Sequence, residues 1–370
     1  MTNLANNANF IFASCQAGSE AALRKEIPAN HPELKLAFSR PGFVTFKVDP
    51  ENRLPDRYTL KSTLARTSGW SLGRAESDNS SEIIAAIIEN AGDVLAQADV
   101  IHVWERDRKI PGAGGFEPGV SVLADEAGQQ LIAAMKLAPE KFRKEPTLNK
   151  SAKPDSIVFD VCIVEPNQWW FGFHEANSTA GRWPGGVPMF DTNADVASRA
   201  YFKLKEALLW SGLPVSAGDV CAEIGSAPGG ACQLLLEMDA KVIAIDPAEM
   251  EPELLKHENL NHIRRRGHEV RKRDFRDVRW LFADITMVPN YTLDTVSEIV
   301  AHDSVNIKGM ALTLKLTNWE LLESVPAWIQ RVKDLGFKYV RTRQLAFNRQ
   351  EICLIAAKDK FIVRSGKKRS

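Results

Sequence analysis

The sequence has no run of about 18 or more apolar residues, and this lack argues against a membrane-spanning helix. Its N-terminal stretch, MTNLANNANF, lacks the charged segment followed by an apolar segment that is typical of a secretory signal. Cysteine is scarce and forms no CxxC pair, which argues against a disulfide framework and against a zinc site. We therefore expect a reduced, cytoplasmic protein without a bound metal. The cysteines are Cys15, Cys162, Cys221, Cys232 and Cys353.

Excess charge is also lacking, since 47 Lys and Arg residues balance 47 Asp and Glu residues. The chain as a whole is therefore no polycation, and any affinity for nucleic acid must come from local patches. Three basic runs could provide such patches: RRRGHEVRKR (264–273), KFRKEPTLNKSAKPD (141–155) and GKKRS (366–370). A solvated surface explains any single run, but three of them favour RNA phosphate as a partner.

With 370 residues, of which 44% are hydrophobic and 25% charged, the chain is long enough for two globular domains. We predict an α+β region over 1–175, a linker rich in Gly, Pro and Asn over 176–196, and a second domain over 197–370. In the first region the predicted strands are 10–14, 42–48, 99–105, 155–165 and 168–175, and the predicted helices are 18–27 (with Ser19 as a possible cap), 81–91 and 125–135.

Strands and helices alternate in the second domain, which predicts a Rossmann-like, doubly wound and mostly parallel sheet. A closing hairpin implies an antiparallel strand at the edge of this sheet. The predicted strands are 220–224, 241–246, 279–285, 310–316, 338–347 and 351–359, and the predicted helices are 197–212, 230–238, 293–302 and 319–336.

The stretch DVCAEIGSAPGGACQLLLEMDAKVIAIDP (219–247) places a glycine-rich turn between a strand and a helix. No lysine follows the glycines, as a P-loop requires, and the spacing does not fit GxGxxG. S-adenosylmethionine remains, because glycines let backbone approach a ligand closely and Asp246 can accept from ribose hydroxyls at the end of the next strand. A purely structural turn is the alternative.

This turn resembles the cofactor turn of FtsJ-like ribose 2′-O-methyltransferases. The resemblance continues through SRAYFKL (198–204), FADI (282–285), LTLKL (312–316) and QEICLIA (350–356). The first half resembles, more weakly, the RNA-binding region with a THUMP domain of the RlmM-like branch, in FASCQAGSEAALRKEI followed by GFVTFKV. That branch methylates a cytidine ribose in 23S ribosomal RNA. The resemblance implies these cofactor-binding residues: Gly225, Ala227, Pro228, Gly229, Gly230, Asp246 and Asp284.

The Lys-Asp-Lys-Glu set that this family uses falls on Lys203, Asp284, Lys315 and Glu351. Lys315 lies in the otherwise apolar ALTLKLTNW, where burial and a second cation would lower the pKa of its amine, although a carboxylate would oppose that change. A neutral amine could take the proton from a ribose hydroxyl, so we hypothesise that Lys315 is the general base. The alternatives are a surface role for Lys203, like its neighbour Lys205, and a structural ion pair between Asp284 and Lys315.

Several points stay open. The family's acidic contact to adenine falls near Arg266, which cannot play that part, while DFRD (274–277) offers Asp274; neither is assigned. The aromatic run WWFGFHE (169–175) could stack RNA bases, but packing within a hairpin is favoured. Three other functions compete with the one implied: a methyltransferase of another RNA such as tRNA, a non-catalytic RNA-binding protein, and a methyltransferase of a base or small molecule.

Overall fold

A computed structural model describes residues 4, 5, 8–52, 54, 55 and 57–359. The basic run 366–370 lies outside them. The chain divides into two compact units, one ending at Phe190 and one beginning at Asp191. Within the described part of the chain, no helix is long and apolar enough to cross a membrane. The same residues contain no group of three or more His, Cys, Asp or Glu side chains placed to hold a metal ion.

The first unit is built on one sheet of eight strands in the order β2-β3-β1-β4-β8-β7-β5-β6. Its neighbouring strands pair antiparallel, except that β5 is parallel to both β6 and β7. The strands are β1 Phe10–Ser14, β2 Leu34–Arg40, β3 Phe43–Val48, β4 Thr67–Glu76, β5 Val100–Glu105, β6 Thr147–Leu148, β7 Ile157–Glu165 and β8 Gln168–Glu175. The helices are α1 Glu20–Asn30, α2 Ser80–Leu95 and α3 Val122–Lys136. The α+β prediction is confirmed.

Three strands of this sheet, β2, β4 and β6, were not predicted. Strand β4, TSGWSLGRAE, contains Gly69 and Gly73, which weaken a strand pattern, and its register with β8 shifts between Ser71 and Gly73. Ser19 stands at the start of α1, but its hydroxyl donates to the Gln16 carbonyl and accepts no helix N–H.

The segment after β8 does not behave as a linker up to residue 196. The first unit extends to Phe190 rather than to residue 175. The turns Ala180–Arg182 and Pro184–Gly186 are mostly buried in it, and a Cβ on Gly185 would lie 3.1 Å from the Trp104 ring. Composition alone indicates a loop here, but Gly and Pro also suit a tightly packed turn.

The second unit contains a sheet of seven strands in the order β11-β10-β9-β12-β13-β15-β14. All are parallel except β15, and helices connect the parallel strands, so the Rossmann-like prediction is confirmed. The strands are β9 Val220–Ile224, β10 Lys241–Ile245, β11 Leu260–Ile263, β12 Trp280–Ala283, β13 Gly309–Lys315, β14 Tyr339–Arg343 and β15 Glu351–Ala357. The helices are α4 Ala200–Ser211, α5 Gly230–Glu237, α6 Pro252–Leu255, α7 Pro289–Val300 and α8 Val325–Asp334.

Two predictions for this unit were wrong in detail. The antiparallel strand β15 lies between β13 and β14 and not at the edge, which β14 occupies. The helix predicted over 319–336 is divided into a 3-10 turn over Trp319–Ser324 and helix α8 from Val325. Pro326 explains the division, because proline is tolerated in the first turn of a helix but not in its interior.

Candidate active site

Four charged side chains meet at the carboxyl edge of the parallel strands. Asp284 follows the end of β12, and Lys315 is the last residue of β13. Because β15 runs antiparallel to β13, its first residue, Glu351, pairs directly with Lys315. Helix α4 contributes Lys203. The fold thus brings together all four residues of the predicted Lys-Asp-Lys-Glu set.

Each lysine of this cluster contacts both carboxylates. Lys203 Nζ lies 3.0 Å from Asp284 Oδ2 and 2.6 Å from Glu351 Oε1. Lys315 Nζ lies 2.9 Å from Asp284 Oδ1 and donates a hydrogen bond to Glu351 Oε2. The Glu351 side chain is 4% exposed and that of Lys315 is 24% exposed. A closed ring of two ammonium groups and two carboxylates results, and Lys315 is its most accessible member.

The charges of the ring shift the pKa values of Asp284 and Lys315. Burial alone would raise the pKa of Asp284, but the Lys203 and Lys315 ammonium groups hold it below its usual value. Burial alone would lower the pKa of Lys315, but the Asp284 and Glu351 carboxylates raise it above its usual value. The predicted lowering of the Lys315 pKa was therefore wrong in this state, because both carboxylates touch the amine directly.

The three glycines of the cofactor turn approach the protein's own backbone and side chains. Gly225 has a φ of +81°, and a Cβ there would lie 2.5 Å from the Asp284 carbonyl oxygen. Gly230 lies against Ser198, whose carbonyl oxygen would be 2.5 Å from a Cβ, and Gly229, with a φ of +127°, lies against Leu254. The turn is thus packed against the strand end that carries Asp284, which links the cofactor turn to the charged ring.

Asp246 is placed to receive hydroxyl groups at the end of β10. The side chain is half-buried, Oδ1 accepts from Ala248 N at 2.8 Å, and Oδ2 accepts from Ala227 N at 3.2 Å. A carboxylate oxygen can accept more than one hydrogen bond, so both oxygens can still accept from a ribose diol. These residues fit S-adenosylmethionine, and Asp246 also braces the turn through Ala227.

We expect Asp246→Ala to weaken S-adenosylmethionine binding by roughly 10- to 150-fold, the usual contribution of a hydrogen bond to a charged group. Gly229→Val should weaken it as well, because the new side chain would meet Leu254 in a backbone conformation that favours glycine. Calorimetric titration with the cofactor measures both effects. The control is Glu249→Ala, which removes an exposed carboxylate nearby. Unchanged affinity in both test variants would remove the cofactor assignment.

Glu223 was not predicted as a site residue, although a charged residue inside the apolar strand VCAEI is the same signal that indicated Lys315. Its side chain is 1% exposed and accepts from Cys232 Sγ at 2.9 Å. Burial, reinforced by the charges of Asp284 and Asp246, raises its pKa to about 8. The carboxyl group is therefore protonated at neutral pH. It lines a small cavity together with Lys203 and Asp284.

The buried proton of Glu223 predicts a pH-dependent difference in stability. A folded-state pKa raised from 4.5 to about 8 gives a stabilising contribution that is complete below pH 4.5 and lost as the pH rises through 8. The side chain of Glu223→Gln is neutral at every pH. Its melting temperature should therefore rise relative to that of the wild type as the pH is raised from 5 to 9. Glu320→Gln, at an exposed site, should show no such trend. If the difference in melting temperature between Glu223→Gln and the wild type did not depend on pH, Glu223 would not be protonated in the folded protein.

The basic run 264–273 directly follows β11 at the same edge of the sheet. Arg264 is exposed and pairs with Glu249, while Arg271 pairs with Asp274. The Arg266 N–H donates to Glu269, so this stretch places both acidic and basic groups near the strand end. The residue that contacts adenine stays unassigned.

Comparison with known proteins finds methyltransferases. Residues 196–340 match the family of FtsJ-like methyltransferases. The chain is similar to the ribosomal RNA large subunit methyltransferase M of Hahella chejuensis, with 26% identity over 68% of this chain and 67% of that one. The protein of that name from Xylella fastidiosa is 23% identical over 94% of this chain and 99% of that one. Among solved structures, Aeropyrum pernix fibrillarin with natively bound S-adenosyl-L-methionine matches 53% of this chain and 81% of its own at 16% identity and a TM-score of 0.33.

The family match spans the glycine turn, Asp246 and three members of the charged ring, Lys203, Asp284 and Lys315. This chain is therefore an S-adenosylmethionine-dependent methyltransferase, and its residues 196–340 are similar to the FtsJ-like methyltransferases.

Proposed function

We propose that this enzyme transfers a methyl group to a ribose 2′-hydroxyl of large-subunit ribosomal RNA, on a cytidine of the 23S molecule. The charged ring of Lys203, Asp284, Lys315 and Glu351 beside the cofactor turn carries the proposal. A hydroxyl is a poor nucleophile until its proton leaves, so the reaction needs a proton acceptor within hydrogen-bond reach. Two amines held by two carboxylates provide such a group.

We assign the proton to Lys315 because its amine is the most accessible in the ring. When bound, the cofactor supplies a methyl group on a sulfonium, so the ribose oxygen gains a bond to carbon as sulfur keeps the electron pair of the broken bond. Lys315 must first release its own proton to solvent, and its neutral Nζ then receives the proton of the hydroxyl. Lys203 neutralises the carboxylates during this exchange, and Asp284 and Glu351 hold both amines in place.

The RNA and its cytidine are proposed from the similarity to the large-subunit methyltransferases. We further propose that the first unit is a THUMP-like region that binds this RNA, and that the enzyme acts in the cytoplasm, where the substrate is made. The exposed arginines after β11 would contact phosphates of the RNA at the carboxyl end of the sheet.

Methylation of purified RNA tests the proposal. The enzyme and labelled S-adenosylmethionine are mixed with 23S rRNA, 16S rRNA or tRNA from cells that lack the gene, and the RNA is digested to nucleosides. We expect label in 2′-O-methylcytidine from 23S rRNA alone. Label in tRNA would establish the competing RNA substrate, label on a base would overturn the ribose assignment, and no label in any RNA would favour a non-catalytic RNA-binding protein.

A further inference from the structure

One face of the eight-stranded sheet in the first unit carries a row of large side chains. Trp104 on β5 is directly opposite Cys162 on β7, Cys162 is opposite Trp170 on β8, and Trp170 is opposite Arg74 on β4. Residues directly opposite each other on paired strands point to the same face of a sheet. These four side chains therefore share one face.

The same face continues at the other edge of the sheet. Phe38 on β2 and Phe12 on β1 are both paired with Thr45 on β3, so they point the same way. Phe38 also reaches Trp170, with ring centroids 4.9 Å apart. The face thus has two parts: an inner part around Trp104 and an outer part around Phe38 and Trp170.

Among the described residues of the unit, the turns after β8 cover the inner part of this face. The turn at Gly185 packs on Trp104, and the Gly181 carbonyl lies 2.6 Å from His174 Nε2. Trp104 is 3% exposed as a result. Phe38 and Trp170, in contrast, are only half-buried. Trp169, the neighbour of Trp170 in the chain, points to the opposite face and is 2% exposed. The two tryptophans of the WWFGFHE run therefore have different environments.

Arginines flank the two outer rings. The Arg40 guanidinium lies 4.9 Å from the centre of the Phe38 ring, and that of Arg74 lies 5.7 Å from the centre of the Trp170 ring. Both arginines are exposed. A planar, charged guanidinium beside an aromatic ring can stack on a base and pair with a phosphate at the same time.

Acidic groups near these arginines are fewer than the cations. Glu76 lies 3.3 Å from Arg74, and Glu165 is shared by Arg106 and Arg108. The hydrogen bond from Arg106, together with the charges of Arg108 and Arg40, keeps the pKa of Glu165 below its usual value. Arg106 is buried, but Arg40, Arg74 and Arg108 are exposed, so the surface beside the two half-buried rings carries three exposed cations.

We propose that Phe38, Arg40, Trp170 and Arg74 form a platform on which unpaired bases of the RNA substrate stack. The inference rests on the proposed function, since it names where a single-stranded segment of that RNA binds. Aromatic rings select for unpaired bases because a base inside a duplex has both faces covered, and the arginines complement the phosphates of the same strand. A sheet face that only packs on itself would need neither the exposure of Trp170 nor the flanking guanidinium groups.

The test measures binding of a labelled single-stranded RNA oligonucleotide, and of the same strand annealed to its complement, to full-length variants without cofactor. Trp170→Leu should weaken single-strand binding by roughly 5- to 150-fold, the contribution of one stacked base, and affect the duplex much less. Trp170→Phe should keep most of the affinity. Arg74→Lys should weaken single-strand binding several-fold without changing its salt dependence, because the charge stays and the stacking plane is lost.

Matched controls lie on the same unit. Leu36→Ala alters an exposed apolar residue of β2 that pairs with Phe46 and so points to the opposite face, and Arg24→Lys alters an exposed arginine of α1. Neither should change affinity. If Trp170→Leu does not fold, the affinities of Trp170→Phe and Arg74→Lys for single-stranded RNA still test the platform. Wild-type single-strand affinity in a folded Trp170→Leu variant, or equal losses for strand and duplex, would overturn the platform.

Methyl-transfer kinetics separate this inference from the proposed function. Trp170→Leu should raise KM for RNA and leave kcat unchanged, because a stacking contact that takes no part in the chemical step contributes equally to ground and transition states. If the wild type methylates no ribose yet binds single strands through Trp170, the proposed function fails and the platform stands. If Trp170→Leu methylates RNA with wild-type KM, the platform fails and the proposed function stands.

Discussion

Lys315→Ala should reduce methyl transfer by at least the 10²–10⁴-fold that general-base catalysis usually contributes, while cofactor and RNA affinity stay close to wild type. The reason is that the amine acts on the ribose hydroxyl only as the proton leaves, so its loss affects the transition state and not the bound ground state. Single-turnover rates at saturating RNA and cofactor measure this loss directly. Lys205→Ala, on the same helix as Lys203, controls for the removal of a nearby positive charge.

Lys315→Arg separates a base from an electrostatic anchor. A guanidinium keeps the positive charge between Asp284 and Glu351, but it cannot release its proton near neutral pH. We therefore expect this variant to fail almost as badly as Lys315→Ala. An active Lys315→Arg enzyme would show that the residue only neutralises the carboxylates.

The melting temperature of both Lys315 variants must be measured with the rates. In the alanine variant, Asp284 and Glu351 keep Lys203 as the remaining cation of the ring. Some loss of stability is expected, because each buried carboxylate loses one of its partners. An alanine variant that is unfolded would mean that Lys315 is a structural partner of Asp284, which is the alternative that the sequence left open.

Most of the second unit could be predicted from its sequence because each strand is a short apolar run between turn signals. In a parallel sheet the residues that end these runs lie on one edge, so Gly225, Asp246, Asp284 and Lys315 could be placed together without a structure. The position of Glu351 beside Lys315 depends instead on β15 running antiparallel inside the sheet. That order reflects long-range pairing, which no local pattern contains.

The electrostatics of the site could not be predicted in the same way. Whether the pKa of Lys315 rises or falls depends on whether its Nζ lies nearer to carboxylates or to apolar atoms, and sequence gives no distances. Glu223 shows the converse. Its pKa rises because its carboxyl group is buried and, among the described residues, no ion pair to it is seen, while Asp284 is held ionised by two lysines. Similar carboxyl groups thus carry different charges at neutral pH.

The raised pKa of Lys315 changes the pH dependence expected of the enzyme. If the pKa of Lys315 were lowered, the rate would rise with pH and then level off above that pKa. With both carboxylates in contact, the neutral amine is a small fraction at pH 7 and increases about tenfold per pH unit. The transfer rate should therefore rise about a thousandfold between pH 6 and pH 9 without levelling off.

Single-turnover rates over this range, at saturating cofactor and RNA, decide between the two profiles. The wild type should give a line of slope one in a plot of log rate against pH, and Lys315→Arg should give a flat and low one. A plateau near pH 7 would mean that substrate binding displaces a carboxylate from Lys315 and lowers its pKa in the complex. A wild-type rate independent of pH would contradict the assignment of the proton to Lys315, since a base that must first lose its own proton cannot act equally well at pH 6 and pH 9.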